Sequence, residues 1–340
     1  MPNNRSFGLG APRSRERAIG LTAARGRSLP LGVYRGPGEV TQSMVFEAEV
    51  GPLPWRLDFG NEQGMFAAIN TAVSGPNSAS RLLVPHAVDT YPISAWGDCG
   101  HNLLLGVPMI PSCAPGYGGS GFDAVAAGTY DVVFTRVAEA LVANGFGAQN
   151  AMARIGWEFN GWWFPWSAKG MASKFVRAFR RIVKVLRKTI PGLPTMWNPT
   201  RGDMGAGNLG SFFPGAEYVT CAALDVYDTE WRRATVVEPL EFEHALTQPY
   251  GLAWLEDLAR IEGVEAGLGE WGLFRVGQTD TATQRGGGDD PTFVNDMVVW
   301  IKSHATGPCI LWDDQGSFSV NPNSLAALKA AIAKEAAKAG

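Results

Sequence analysis

Two glutamates share an unusual setting in the second half of the chain. In "RIGWEFNGWWFPW" (154–166), Glu158 lies among Trp157, Phe159, Trp162, Trp163, Phe164 and Trp166. In "GLGEWG" (267–272), Glu270 is followed by Trp271 and Gly272. A lone carboxylate among rings costs several kcal/mol unless it is paired or protonated, so an ordinary core would carry Leu there. An apolar site raises a carboxyl pKa toward neutrality and keeps the group able to donate a proton. A second carboxylate, held ionised by hydrogen bonds, is a nucleophile. Such a pair in an aromatic cleft is the equipment of glycoside hydrolysis, and rings are suitable platforms for apolar sugar faces. The bland reading is a pair of structural acids salt-bridged to residues such as Arg154 or Arg201.

The elements that must position this pair are read from hydrophobic patterning. Eight short apolar runs have strand character: "LGVY" (31–34), "WRLDF" (55–59), "NLLLGVPMI" (102–110), "AMARIGW" (151–157), "PTMWN" (194–198), "YVTCAALDVY" (218–227), "EAGLGEW" (265–271) and "CILW" (309–312). Helical periodicity lies between them at 130–145, 173–189, 253–263, 291–305 and 325–339. The basic face of the 173–189 segment reads as the solvated side of an amphipathic helix. Alternating strand and helix implies βαβ units and a parallel sheet. Eight such units predict an α/β fold, a single (β/α)8 TIM barrel spanning residues 30–340. Residues 1–29 form a basic, Gly- and Arg-rich arm expected to be partly disordered. Residues 60–100 read as long loops, of the kind that form lids.

In this barrel, functional residues come from the C-terminal ends of strands and the loops beyond. Polar residues recur there: Glu158 and Asn160 after the fourth strand, Asn198 and Asp203 after the fifth, and Asp225, Tyr227 and Asp228 at the sixth. Glu270 ends the seventh, and Trp312, Asp313 and Asp314 end the eighth. Glu158 and Glu270 are 112 residues apart (270 − 158), or three βα units, which faces them across the barrel mouth. Trp162, Trp163, Trp166, Trp271 and Trp312 are expected to divide between cleft and packing. Asn160 either caps the loop after the fourth strand or contacts the sugar or the acid. Trp96 is a distal sugar platform or a loop anchor. Asp225, Asp228, Asp313 and Asp314 are expected to cap loops.

Composition narrows the class. The 340 residues carry 29 basic and 32 acidic side chains, a net charge of -3, which offers no footprint for nucleic acid. No run approaches the ~20 apolar residues of a membrane span, and the N-terminus lacks a signal-peptide core. The expected protein is soluble and without a membrane partner. It is either cytoplasmic or delivered outside by a non-Sec route or a phage particle. Four scattered His and four Cys without CxxC spacing suggest no metal site and no cofactor. Cys99 and Cys113 share a loop-rich stretch and are candidates for a bridge, although free thiols are the commoner state.

The motif "RIGWEFNGWWFPW" resembles the acid/base motif of glycoside hydrolase family 26, in which a fourth-strand Glu is followed by Asn-Gly and then Trp. "GLGEWG" resembles that family's nucleophile strand, "LDVYD" the strand before it, and "GTYDVVFTRVAEALVANG" the helix preceding the acid/base strand. The resemblance covers roughly residues 31–335. It implies a retaining β-glycanase with Glu158 as acid/base, Glu270 as nucleophile, Tyr227 hydrogen-bonded to the nucleophile and Trp163 lining the −1 sugar site. Trp157, Asn160, Trp166, Asn198, Trp271 and Trp312 complete the candidate substrate-binding set. Family members act mostly on β-mannans, with some on β-1,3-xylan or mixed-linkage β-glucan. Mannanases of the family usually carry His directly before the acid/base Glu, and this chain carries Trp157, which leaves the sugar open. The partner is therefore expected to be a β-linked glycan. The rival readings are a non-catalytic carbohydrate-binding barrel, as in a phage-tail or surface receptor module, and an intracellular exo-β-glycosidase.

Overall fold

The structure, a computed structural model, describes residues 29–60, 91–97, 99–110, 119–230, 242–273, 285–314 and 317–339. Eight strands close into a parallel barrel: β1 (Leu31–Tyr34), β2 (Trp55–Phe59), β3 (Asn102–Val107), β4 (Ala151–Ile155), β5 (Thr195–Trp197), β6 (Cys221–Tyr227), β7 (Glu265–Gly272) and β8 (Cys309–Trp312). Each strand pairs with its sequence neighbours, and β8 closes on β1 through Leu31↔Cys309 to Tyr34↔Trp312. This is the TIM-barrel fold expected from the alternation of patterns, and every strand falls inside its predicted segment except β7, which runs one residue further, to Gly272.

The helices are α1 (Val40–Val50), α2 (Tyr91–Trp96), α3 (Gly119–Ala127), α4 (Asp131–Ala143), α5 (Ala172–Thr189), α6 (Phe242–Thr247), α7 (Leu252–Glu262), α8 (Pro291–His304) and α9 (Pro322–Ala339). The sequence reading anticipated α4, α5, α7, α8 and α9 and missed the rest. A short antiparallel ribbon, Thr229–Glu230 with Arg285–Gly286, sits beyond the ends of β6 and β7. None of the described helices is long and apolar enough to cross a membrane. The arm at 1–28, most of the 60–100 excursion and Cys113 lie outside the described residues; Cys99, Cys221 and Cys309 are free thiols.

Strand periodicity of two divides the apolar side chains into two bodies. Outward residues such as Leu103, Leu105, Ala153, Trp197, Leu224 and Leu268 pack under the helices. Inward residues Leu57, Leu104, Met152, Met196, Ala223 and Ile310 fill the barrel axis. Above that plug, toward the strand C-termini, the inward positions change character. Arg154, Asn198, Asp225 and Glu270 meet there under a rim of Tyr34, Phe59 and Trp312. Glycine keeps the crowded points passable: a Cβ on Gly106 would lie 2.4 Å from the Phe59 ring.

Candidate active site

Arg154, the inward residue one step above Met152 on β4, organises the site. Its guanidinium is fully buried and makes three side-chain bonds. Nη1 donates to Glu270 Oε1 at 2.7 Å, Nη2 to Asp225 Oδ2 at 2.5 Å, and Nε to Asn198 Oδ1 at 2.5 Å. Its carbon end lies over the rings of Phe59 and Trp157, 5.7 and 5.6 Å from their centroids. Burial disfavours its charge, but Asp225 and Glu270 more than offset that and leave its pKa above the ordinary value. A fork with five fixed donors suits this position better than a lysine would.

Glu270 is buried at the end of β7. Besides Arg154, it accepts a hydrogen bond on Oε2 from the Tyr227 hydroxyl. Both of its oxygens are thus held by donors, which fixes the direction in which the carboxyl points. Tyr227 is itself pushed up by burial first and then by the negative charge of Glu270, so it stays a protonated donor.

Glu158 has the opposite environment. It is half-buried in the turn after β4, and its Oε2 accepts from Trp163 Nε1 at 2.7 Å. Burial, then the charge of Glu270, push its carboxyl up to about 7, with Arg154 and the Trp163 N–H pulling the other way. Its backbone has φ 50°, a left-handed conformation that side-chain-bearing residues seldom adopt. The surrounding turn holds it there. Glu158 N donates to Asn198 O at 2.8 Å, and Gly161 N donates to Glu158 O at 2.9 Å. Gly156, two residues earlier, has φ 54°, and a Cβ there would meet Met109 Sδ at 2.1 Å.

The other expected site residues divide by location. Asn160 is buried and fully engaged as a latch. Its Nδ2 donates to Thr200 O and Gly202 O at 2.9 and 2.8 Å, and its Oδ1 accepts from Thr200 N at 2.9 Å. It ties the β4 loop to the β5 loop, the capping reading of the two considered. Asn198 faces the interior and positions Arg154. Trp166 is buried, with Nε1 donating to Trp157 O at 2.7 Å and its ring stacked 4.7 Å from Phe164. Trp271 is buried on the outer side of β7, against Phe318. Trp157 is nearly buried and packs on Phe59, Phe164 and Trp166. Trp163 and Trp312 are partly open, and Trp312 stacks on Tyr34 at 4.4 Å.

Trp96 is buried with Nε1 donating to Asp58 at 2.8 Å, which makes it the loop anchor rather than a sugar platform. Asp313 accepts from Phe318 N of its own loop, as expected, while Asp228 accepts from Gly287 N of the loop beyond β7; Asp203 accepts from Gly205 N. Asp225 departs from that expectation: it projects into the barrel and pairs with Arg154 because its register on β6 faces the axis. Sequence reading also missed Tyr34 and Phe59, whose signal was an aromatic at the last residue of β1 and of β2. Among the described residues, no group of three or more His, Cys, Asp or Glu is arranged to hold a metal ion.

Residues 137–238 match the family model described as glycosyl hydrolase family 26. That is a glycosidase family. The match runs from α4 past β6 and so contains Arg154, Glu158, Trp163 and Tyr227, while Glu270 lies beyond it. The resemblance to family 26 seen in the short motifs therefore holds over a continuous stretch of about a hundred residues. The fold is similar to the catalytic domain of a GH26 endo-beta-1,4-mannanase from Bacillus sp. JAMB-750, with TM-score 0.60, 18% identity, and coverage of 92% of this chain and 87% of that one. It is also similar to the Bacillus subtilis mannanase man26, with TM-score 0.57, 15% identity, and coverage of 88% and 84%. A third likeness is to GH26A from Muricauda sp. MAR_2010_75, with TM-score 0.54, 15% identity, and coverage of 90% and 89%. At these identities the likenesses speak for the fold. No curated protein matches the chain.

Proposed function

We propose that the protein is a retaining β-glycoside hydrolase working by double displacement, with Glu270 as nucleophile and Glu158 as acid/base. The supporting observation is the contrast between two carboxyls around one guanidinium. Glu270 is held and aimed through both oxygens by Arg154 and Tyr227, and Glu158 is pushed up to about 7, toward the form that donates. A carboxyl pinned by two donors suits the nucleophile, and a carboxyl pushed toward its protonated form suits the acid.

In the first step, Glu158 gives its proton to the glycosidic oxygen as the C1–O bond breaks, and a Glu270 oxygen forms a bond to C1. In the second, water attacks C1, its proton passes to Glu158, and the C1–Glu270 bond breaks. Retention by this route requires carboxyl groups about 5–5.5 Å apart. Trp163 both orients Glu158 and offers a ring to the −1 sugar. Trp312 on Tyr34, with Phe59 and Trp157 beneath, forms an aromatic wall on the other side. The substrate is a β-linked glycan. With Trp157 where mannanases of the family carry His, an indole replaces an imidazole beside the acid, and mannan is one candidate among several.

The test is hydrolysis across a panel of soluble β-glycans and aryl β-glycosides. Glu270→Ala should abolish turnover, and azide should restore it with a product of inverted configuration at C1. Turnover that survives Glu270→Ala, or glycan binding without hydrolysis by the parent, would defeat the proposal.

A further inference from the structure

Trp162 is the only exposed tryptophan among the described residues, with 81% of its surface open, although it adjoins the ring cluster of Trp163, Phe164 and Trp166. A side chain that stabilises so strongly on burial is left in solvent, on a loop that is otherwise tied down. Asn160 latches the loop through three hydrogen bonds. Ser167 Oγ donates to Gly161 O at 2.6 Å, and Ala168 N donates to Phe159 O at 2.8 Å. A Cβ on Gly161 would lie 2.4 Å from the Trp163 ring, so only glycine lets the loop fold this tightly. The indole is therefore presented from a fixed base, which lowers the entropy lost when a ligand settles on it.

Its location assigns the ligand. The Trp162 ring meets Trp163 edge-on at 5.9 Å, and Trp163 holds the proton-donating carboxyl of Glu158. Trp162 is thus one ring removed from the acid, and it is exposed where Trp163 is only partly open. The acid's proton goes to the glycosidic oxygen, so the sugar leaving with that oxygen departs past Glu158.

We propose that Trp162 is a stacking platform for the leaving-group sugar of a β-linked oligosaccharide or polysaccharide, so that the cleft holds chain on both sides of the bond it cuts. This rests on the hydrolase reading above. The occupant is a neutral pyranose presenting its C–H face to the indole, and the consequence is cleavage within a chain.

The experiment compares Trp162→Ala and Trp162→Phe with the parent on two substrates. One is whichever soluble β-mannan, β-xylan or β-glucan the parent hydrolyses. The other is the β-glycosyl fluoride of that same sugar, whose leaving group is a single atom. Trp162→Ala should lower kcat/KM on the polymer about tenfold, mostly through KM, with a loss on the fluoride at least fivefold smaller. Trp162→Phe should recover most of the polymer activity. Equal losses on both substrates would mean that Trp162 acts only through the loop carrying Glu158, and would overturn the inference, as would no loss on the polymer. A parent inactive on every glycan and fluoride defeats the hydrolase reading and the inference with it; an active parent with an indifferent Trp162→Ala defeats the inference alone.

Discussion

Replacing Glu158 by Gln should stabilise the fold at alkaline pH while removing catalysis. The carboxyl is pushed from its ordinary 4.5 to about 7 in the folded chain, so folding penalises its ionised form. Below about pH 4.5 the group is protonated in both folded and unfolded chains, and parent and variant differ by a constant. As pH rises from 4.5 through 7, the unfolded chain releases the proton before the folded one does. The parent progressively loses this contribution, and the loss is complete above about pH 8. Moving a carboxyl from 4.5 to about 7 corresponds to roughly 3 kcal/mol, at about 1.4 kcal/mol per tenfold in proton affinity. Glu158 is only half-buried, so water screens part of this, leaving about 1–2 kcal/mol. Gln keeps an oxygen for the Trp163 N–H, so packing and hydrogen bonding cancel in a comparison across pH. Urea unfolding of parent and Glu158→Gln at pH 4 and pH 8.5 measures the gap at each end. The gap should move by about 1–2 kcal/mol in favour of the variant at pH 8.5. A gap that is constant, or that moves against the variant, would refute the claim that burial and Glu270 hold this carboxyl in its acid form. In the parent, the same group should set the alkaline limb of kcat/KM near 7.

Two further substitutions test the framework around the pair. Gly269→Ala would place a Cβ 1.7 Å from Asn198 Oδ1 and 2.7 Å from Asp225 Oδ1, both partners of Arg154. Breaking a buried charge network costs about 3–5 kcal/mol, so a Tm drop of many degrees with loss of activity is expected; an unchanged Tm would show that the interior is not packed this way. Tyr227→Phe removes the hydroxyl donor to Glu270 but keeps the ring. It should lower kcat on the order of tenfold to a hundredfold with little change in Tm, and an unchanged kcat would assign Tyr227 to packing.

The barrel was legible because each strand is a compact apolar run closed by a chain-turning residue, and helical periodicity fills the gaps. The ends were less so. "NLLLGVPMI" stops pairing at Val107, since Pro108 has no N–H to donate to a ladder. "AMARIGW" stops at Ile155, where Gly156 turns to positive φ. The missed helices had specific disguises. Val40–Val50 has neither a side-chain cap nor a clear apolar stripe, Gly119–Ala127 begins in glycines, and Tyr91–Trp96 and Phe242–Thr247 are six residues each. These helices hold their shape through the barrel they cover, and propensity alone does not announce them.

The site was legible where chemistry and strand ends coincide, which put Glu158, Glu270 and Tyr227 together. Arg154 entered the sequence reading only as a possible salt-bridge partner. Period two along β4 places it on the same face as Met152, and so inside the barrel. The aim of Glu270 is harder to see. On β7, Ala266 and Leu268 pack outward under the helices, and simple alternation would send residue 270 the same way. The ladder instead slips by one residue: Leu224 pairs with Leu268, but Asp225 pairs with Glu270. Against β8, Cys309 pairs with Leu268 and Leu311 with Trp271, the same extra residue seen from the other side. This bulge at Gly269 turns Glu270 inward to Arg154 and returns Trp271 to the outer face. Gly269 has to be glycine because its inward side is already occupied by Asn198. A strand read as "EAGLGEWG" with strict alternation would bury this carboxylate beneath a helix, away from Glu158. One inserted glycine therefore decides that Glu270 turns to Arg154 and into the barrel, not under a helix.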